Sequence, residues 1–294
     1  MELDHRELKN LARERVLLTQ PRFWVVALYY LSMTIGVSWF ISFLPLPEDR
    51  TVQLFFQVLL ALYRTVVQFG LCLWALWTYR QLDPDTGALT QGFSVAGRVI
   101  LMELGIYVRV VGWYFLVSFI LAGPVVFLLL SDVSAVTGTL GLLLLFAILI
   151  AVIVFLNLRY ALAPYLLADR PDDGPTLPIY RSTTLMQGWK WELFKLEFSF
   201  IGWEAVNFLL STGVILFFLH QAGLLTMAAF QADTWRDQAL DVIYSTRVVV
   251  LSTLVTVPVS LWLIPYRQTA RAGFYDARLL AASHEEQRPE MPPL

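Results

Sequence analysis

Six long apolar stretches with few charges constrain this chain more than any other feature: residues 23–44, 52–78, 100–130, 139–167, 198–220 and 243–265. About 20 such residues suffice to cross roughly 30 Å of hydrocarbon. A large soluble core would break these runs with periodic polar residues. In lipid every backbone amide must be satisfied within the protein, so spans are helices or closed barrels. Barrel strands alternate apolar and polar side chains over short segments, whereas these runs are continuously apolar. Composition agrees, with 57% hydrophobic and 15% charged residues, against about 25% charged in soluble domains. The sequence therefore predicts an all-α, polytopic transmembrane helix bundle of about six spans with interfacial amphipathic helices.

Residues 1–22 read as an amphipathic segment, 23–283 as the membrane domain and 284–294 as a polar, proline-rich, disordered tail. The first apolar run is longer than a signal-peptide core and follows a charged segment, so it reads as a retained span. The one cysteine, Cys72, lies inside an apolar run, which leaves no disulfide framework within the chain.

Basic residues set the expected orientation. Arg6, Lys9, Arg13, Arg15 and Arg22 precede the first span, and Arg80 and Arg98 fall between the second and third. Arg170, Arg181, Lys190 and Lys195 lie between the fourth and fifth, and Arg267, Arg271, Arg278 and Arg288 follow the sixth. The opposite loops hold mainly Arg50 and Arg236. Both termini are expected in the cytoplasm.

Three segments read as interfacial. Leu8, Leu11, Ala12 and Leu18 share one face near the start. Leu185, Trp189, Leu193 and Leu196 form a stripe on a helix expected over residues 181–197, which either lies in the headgroup region or simply extends span five into the cytoplasm. Arg267, Arg271 and Arg278 share a face after Pro265. Basic faces beside a bilayer are drawn to anionic lipid by about 1 kcal/mol per residue.

Ionisable groups inside spans are functional-site candidates. Here they are Arg64, Glu103, Arg109, Arg159, Glu204 and the marginal Arg247. At about 1.5 Å of rise per residue, Arg109, Arg159 and Glu204 all lie about 9–13 Å inside the cytoplasmic edge. Together they form a candidate polar constellation, with Asn157 and Asn207 as hydrogen-bond partners and Arg64 deeper. Its surplus positive charge suits an anionic headgroup or a carboxylate. The alternative is a structural ion pair with one arginine reaching to the interface.

Catalytic signatures are absent: there is no Walker A loop, Gly-x-Ser-x-Gly elbow or His-Glu-x-x-His pair. No catalytic residue, metal ligand or cofactor is expected. Asp83-Pro84-Asp85 and Asp172-Asp173 read as solvated turns. Topology accounts for the basic residues, so nucleic acid is not an expected partner. Pro124, Pro164 and Pro258 interrupt spans in a weakly transporter-like way.

The C-terminal half carries Arg181-Ser182-Thr183-Thr184-Leu185-Met186-Gln187-Gly188-Trp189-Lys190, then Leu193-Phe194-Lys195-Leu196, then Ser199-Phe200-Ile201-Gly202-Trp203. Further on come Ile264-Pro265-Tyr266, Ala272, Phe274 and Tyr275. With Glu7-Leu8-Lys9 and Ala12 before the first span, and Tyr160, Ala168-Asp169 and Pro171 after the fourth, the chain resembles a bacterial integral-membrane family, domain-of-unknown-function family 975. The resemblance covers nearly the whole chain. It implies a multi-helix protein of the cytoplasmic membrane and no particular reaction. Within the motif, Gly188 and Gly202 are expected to permit close helix approach. Trp189, Trp191 and Trp203 suit the interface, and Lys190 and Lys195 are placed to reach headgroup phosphates.

Three functions are weighed. The first is a non-enzymatic accessory protein of the bacterial envelope that binds membrane lipid, anionic lipid included, or a protein partner, a second copy among them. The second is a small transporter, for which a water-accessible cavity reaching Arg64 is the mark. The third is a lipid-modifying enzyme acting through Asp172 and Asp173.

Overall fold

The computed structural model describes residues 5–45, 49–130, 134–232 and 234–286. Among these, six helical segments are long and apolar enough to cross a membrane: Phe23–Phe43, Arg50–Arg80, Gly87–Leu128, Val136–Asp169, Ile201–Gln221 and Thr246–His284. No strand is present among the described residues.

α1 (His5–Leu18) buries Leu8, Ala12 and Val16 against the bundle. The face expected for the headgroups is therefore turned partly into protein, while Leu18 stays exposed. The first span is α2 (Phe23–Leu31), a π-helical turn (Ser32–Gly36) and α3 (Val37–Phe43). Along it the hydroxyls of Thr34, Ser38 and Ser42 each donate to the carbonyl four residues back. Such back-bonding competes with the backbone ladder and bends helices, and it coincides here with the π turn.

α4 (Arg50–Arg80) starts where the Asp49 carboxylate accepts the Thr51 N–H at 2.6 Å. It ends at Gln81, whose left-handed backbone (φ 57°) closes the last turn. α5 (Gly87–Gln91) and a 3₁₀ turn (Gly92–Val95) lead into α6 (Ala96–Leu130). Gly70 is required at the α4–α5 crossing, because a Cβ there would strike the Leu89 backbone carbonyl.

The fourth span is broken. α7 (Ala135–Tyr160) stops at a turn over Ala161 and Leu162, and α8 (Ala163–Asp169) restarts with Pro164 in its first turn, a place where proline costs no hydrogen bond. Ser182 repairs the break: its hydroxyl donates to the Arg159 carbonyl (3.1 Å) and accepts the Leu162 N–H (3.3 Å). Of the three prolines expected to interrupt spans, only Pro164 does so. Pro124 and Pro258 lie inside continuous helices.

The single amphipathic helix expected over 181–197 is instead two: α9 (Thr176–Leu185) and α10 (Lys190–Phe198). Gly188 makes the turn between them at φ +77°, a conformation costly for residues with a Cβ. The apolar stripe faces protein, with Leu193 and Leu196 buried and Leu185 and Trp189 packed against the core.

α11 (Ile201–Gln221) packs on α14 (Thr246–Glu286). Between them, α12 (Met227–Phe230) and α13 (Trp235–Ile243) fold back. Leu219, Leu224 and Ala239 form a small apolar cluster there, and the Trp235 indole donates to the Leu224 carbonyl at 2.8 Å. At about 1.5 Å per residue, α14 is about 60 Å long, twice the hydrocarbon thickness. Its second half leaves the apolar layer and threads the core. Residues 287–294 of the expected tail lie outside the described residues.

The main core sits at the end of the bundle that holds both α1 and the end of α14. Trp74, Tyr165, Phe200, Phe274 and Tyr275 are its large fully buried side chains. At the other end, α6, α7 and α11 present Phe119, Phe127, Leu143, Phe146 and Phe208 outward. Faces apolar all round are those of helices set in lipid.

Candidate functional site

The family-like motif contributes large side chains to the core, while its Arg181, Thr184, Leu185 and Tyr275 also line a cavity of about 510 Å³ at the terminal end. Met186, Phe200, Phe274 and Tyr275 are fully buried and Tyr266 nearly so, with the Phe200 and Tyr266 rings edge to face at 5.2 Å. Pro265 lies inside α14. The Ser199 hydroxyl donates to the Leu196 carbonyl at the turn into α11, and Trp203 is largely exposed. Nothing lies within 4 Å of a Cβ built on Gly188 or Gly202, so neither mediates close helix approach. That role falls to Gly70, and to Gly273 against the Tyr79 ring.

Charges cluster at the terminal end in two networks that the sequence did not mark. Arg80 joins three helices by gripping both carboxylate oxygens of Asp169 and also Asp276 (2.7 Å), while the Tyr275 hydroxyl donates to Asp169 at 2.7 Å. Glu197 of α10 accepts from Arg271 and from Arg267 (2.7 Å). Burial opposes ionisation of Glu197, but the two guanidiniums outweigh it and hold its carboxyl below the ordinary range. The third arginine of that expected basic face, Arg278, is buried, donating to the Leu185 carbonyl and lying over the Trp189 ring. These arginines thus serve protein partners. On the surface, Glu192 meets His5 at 2.6 Å and Lys195 at 2.8 Å, so Lys195 is already paired.

The expected constellation of Arg109, Arg159 and Glu204 is not assembled. Glu204 pairs with Arg267 at 2.9 Å, because α11 packs on α14 and α13, whereas Arg109 and Arg159 belong to the adjoining α6 and α7. Equal depth does not put side chains on facing surfaces. Asn157 donates to the Ile153 carbonyl of its own helix (2.9 Å), and the Asn207 carbonyl oxygen is buried without a partner.

Arg109 and Arg159 nevertheless share a neighbour in α9. Arg109 donates to the Gly105 carbonyl (2.8 Å), and its guanidinium and Ile179 of α9 both crowd Gly105. The Arg159 carbonyl is held by Ser182 of α9. The Lys190 ammonium lies 4.4 Å from the centre of the Phe155 ring, and Phe155 is one helical turn from Arg159 on the same face of α7. None of these three cations has a carboxylate partner among the described residues.

Deeper in the bundle lie two adjoining cavities, of about 500 Å³ and about 340 Å³, both lined by Gln68, Cys72, Glu103 and Pro164. The larger reaches Asn157, Glu197 and Arg271, and the smaller reaches Tyr30, Thr34 and Arg64. Arg64 donates to the Ser38 hydroxyl at 2.5 Å. Glu103 has no hydrogen bond or ion pair among the described residues. At the terminal end, Asp172 and Asp173 face Arg98 and Arg181. No group of three metal-ligating side chains occurs among the described residues.

A family model described as Protein of unknown function (DUF975) matches residues 1–281. No curated protein and no solved structure matches the chain.

Proposed function

The chain belongs to the DUF975 family, and from that premise we propose that it is a non-enzymatic protein of the bacterial cytoplasmic membrane that binds anionic lipid on its cytoplasmic leaflet. The observation that carries this reading is the group of Arg109, Arg159 and Lys190, three cations around α7 and α9 without a carboxylate among them. By contrast Arg80, Arg98, Arg181, Arg267 and Arg271 each face an aspartate or a glutamate. A cation left unmatched at the edge of an apolar layer calls for an anion from outside the chain, and a phosphate diester held between helices supplies one. The exposed apolar faces of α6 and α7 suit the acyl chains. The basic residues that flank the even-numbered spans support cytoplasmic termini.

Thermal unfolding of the detergent-purified protein with added phosphatidylglycerol tests this. Wild type should be stabilised more by phosphatidylglycerol than by phosphatidylcholine. The difference should vanish in the double variant R109Q/R159Q. Equal stabilisation of the variant would reject the site.

A second reading, a small transporter, has one specific observation in its favour: a cavity reaches Arg64 beside the break at Pro164. Counterflow of candidate solutes into proteoliposomes tests it, and an R64Q variant without effect on any flux found would count against it.

A further inference from the structure

Arg64 and Glu103 are charged side chains of two spans that line one cavity and have no opposite charge among the described residues. Among these residues Arg64, which is largely exposed, bonds only the Ser38 hydroxyl, and Glu103 has no hydrogen bond or ion pair. Both line the cavity of about 340 Å³, a volume within the roughly 300–1,000 Å³ of small-molecule sites. An ionisable group kept in an apolar layer without a partner is costly and is found where it has a use. Two of opposite sign, on different helices and facing one cavity without meeting, form a divided ion pair.

The backbone around this cavity is irregular on two sides. Thr34, in the π turn of the first span, and Pro164, at the break of the fourth, both line it. π turns and interrupted membrane helices are found where a span gives up regularity to a ligand. Polar side chains share the lining with the two charges. The Tyr30 hydroxyl donates to the Gln68 side-chain carbonyl at 2.5 Å, which leaves the Gln68 amide as a free donor to the cavity.

We propose that this cavity binds a small zwitterion, with its anionic group on Arg64 and its ammonium on Glu103. The volume admits a small molecule or a headgroup, and the two opposite charges on its lining call for a ligand that carries both. An aminoethyl phosphate carries both, either as a phospholipid headgroup or as a free solute, and so does a β-amino acid. The site is independent of the cations at Arg109 and Arg159 and goes beyond the anionic-lipid reading.

Equilibrium binding to the full chain in detergent tests this, with four probes: O-phosphoethanolamine, β-alanine, dihexanoyl phosphatidylethanolamine, and the N-acetylated form of that lipid. At least one amine-bearing probe should bind. N-acetylation should weaken the lipid at least tenfold if the lipid is the ligand. E103Q and R64Q should each weaken the bound probe at least tenfold, whereas R109Q should not. Binding of the lipid alone assigns a headgroup, and binding of a free zwitterion assigns a solute. The proposal is overturned if no amine-bearing probe binds folded wild-type protein, or if binding survives both E103Q and R64Q. It is equally overturned if the acetylated lipid binds as tightly as the parent. The comparison of probes on wild-type protein stands even if a variant fails to fold. Failure here with phosphatidylglycerol stabilisation intact overturns this site alone, and the reverse pattern overturns the Arg109 site alone.

Discussion

Arg80 meets Asp169 end on, each terminal nitrogen of the guanidinium facing one carboxylate oxygen, while its remaining edge holds Asp276. One planar cation thereby ties together the ends of the second, fourth and sixth spans. Lysine cannot reproduce this fork. R80M leaves two carboxylates facing each other with the Tyr275 hydroxyl as their remaining donor. Breaking a buried pair costs about 3–5 kcal/mol, reduced to about 2–3 here because the groups are about a quarter exposed. Thermal unfolding in detergent should show R80M and R80K both destabilised, with R80M partly rescued by D169N/D276N.

Glu197 supplies a pH dependence of defined sign. Its carboxyl titrates below the ordinary 4.5 because Arg271 and Arg267 outweigh the effect of burial. The unfolded chain takes up the proton first, so this contribution is complete above about pH 4.5 and is lost as pH falls through the lower folded value. Denaturant unfolding across pH 3 to 6 should show wild type losing stability on the acid side, with a shallower loss in E197Q. Parallel curves would contradict the assignment.

Two glycines of one motif should behave in opposite ways. G188A forces a Cβ into φ +77° and should cost about 1–2 kcal/mol. G202A meets open space and should change thermal stability by less than about 0.5 kcal/mol.

Ser182 bonds both the amide and the carbonyl exposed where the fourth span breaks. S182A strands both groups in a buried position, at about 1–3 kcal/mol. Proteolysis or hydrogen exchange should show the loss centred on residues 158–166. A uniform change across the chain would argue against a local role.

The spans were legible because their signal is length and continuous apolarity, properties of residues 23–44 or 139–167 taken singly. The break at Pro164 was half legible: proline marks a candidate interruption, but its effect depends on Ser182, 18 residues on, satisfying the freed groups. Charge positions gave depth but not azimuth. Hence depth alone groups Glu204 with Arg109 and Arg159, although Glu204 pairs with Arg267. A stronger signal lay in α4, where Arg64, Gln68 and Cys72 recur every four residues and mark one polar stripe through an apolar helix. Glu103 was visible as an intramembrane acid, but its place opposite that stripe follows from helix packing alone. Asp169 and Asp276 fall at span ends, where an aspartate attracts no notice until Arg80 is found between them.

The anionic-lipid site is tested most directly by native mass spectrometry of the protein released with its own membrane lipids. Wild type should carry a retained anionic phospholipid that is absent from R109Q/R159Q and present in E103Q. A wild-type spectrum free of anionic lipid, or one whose lipid persists in R109Q/R159Q, would contradict it.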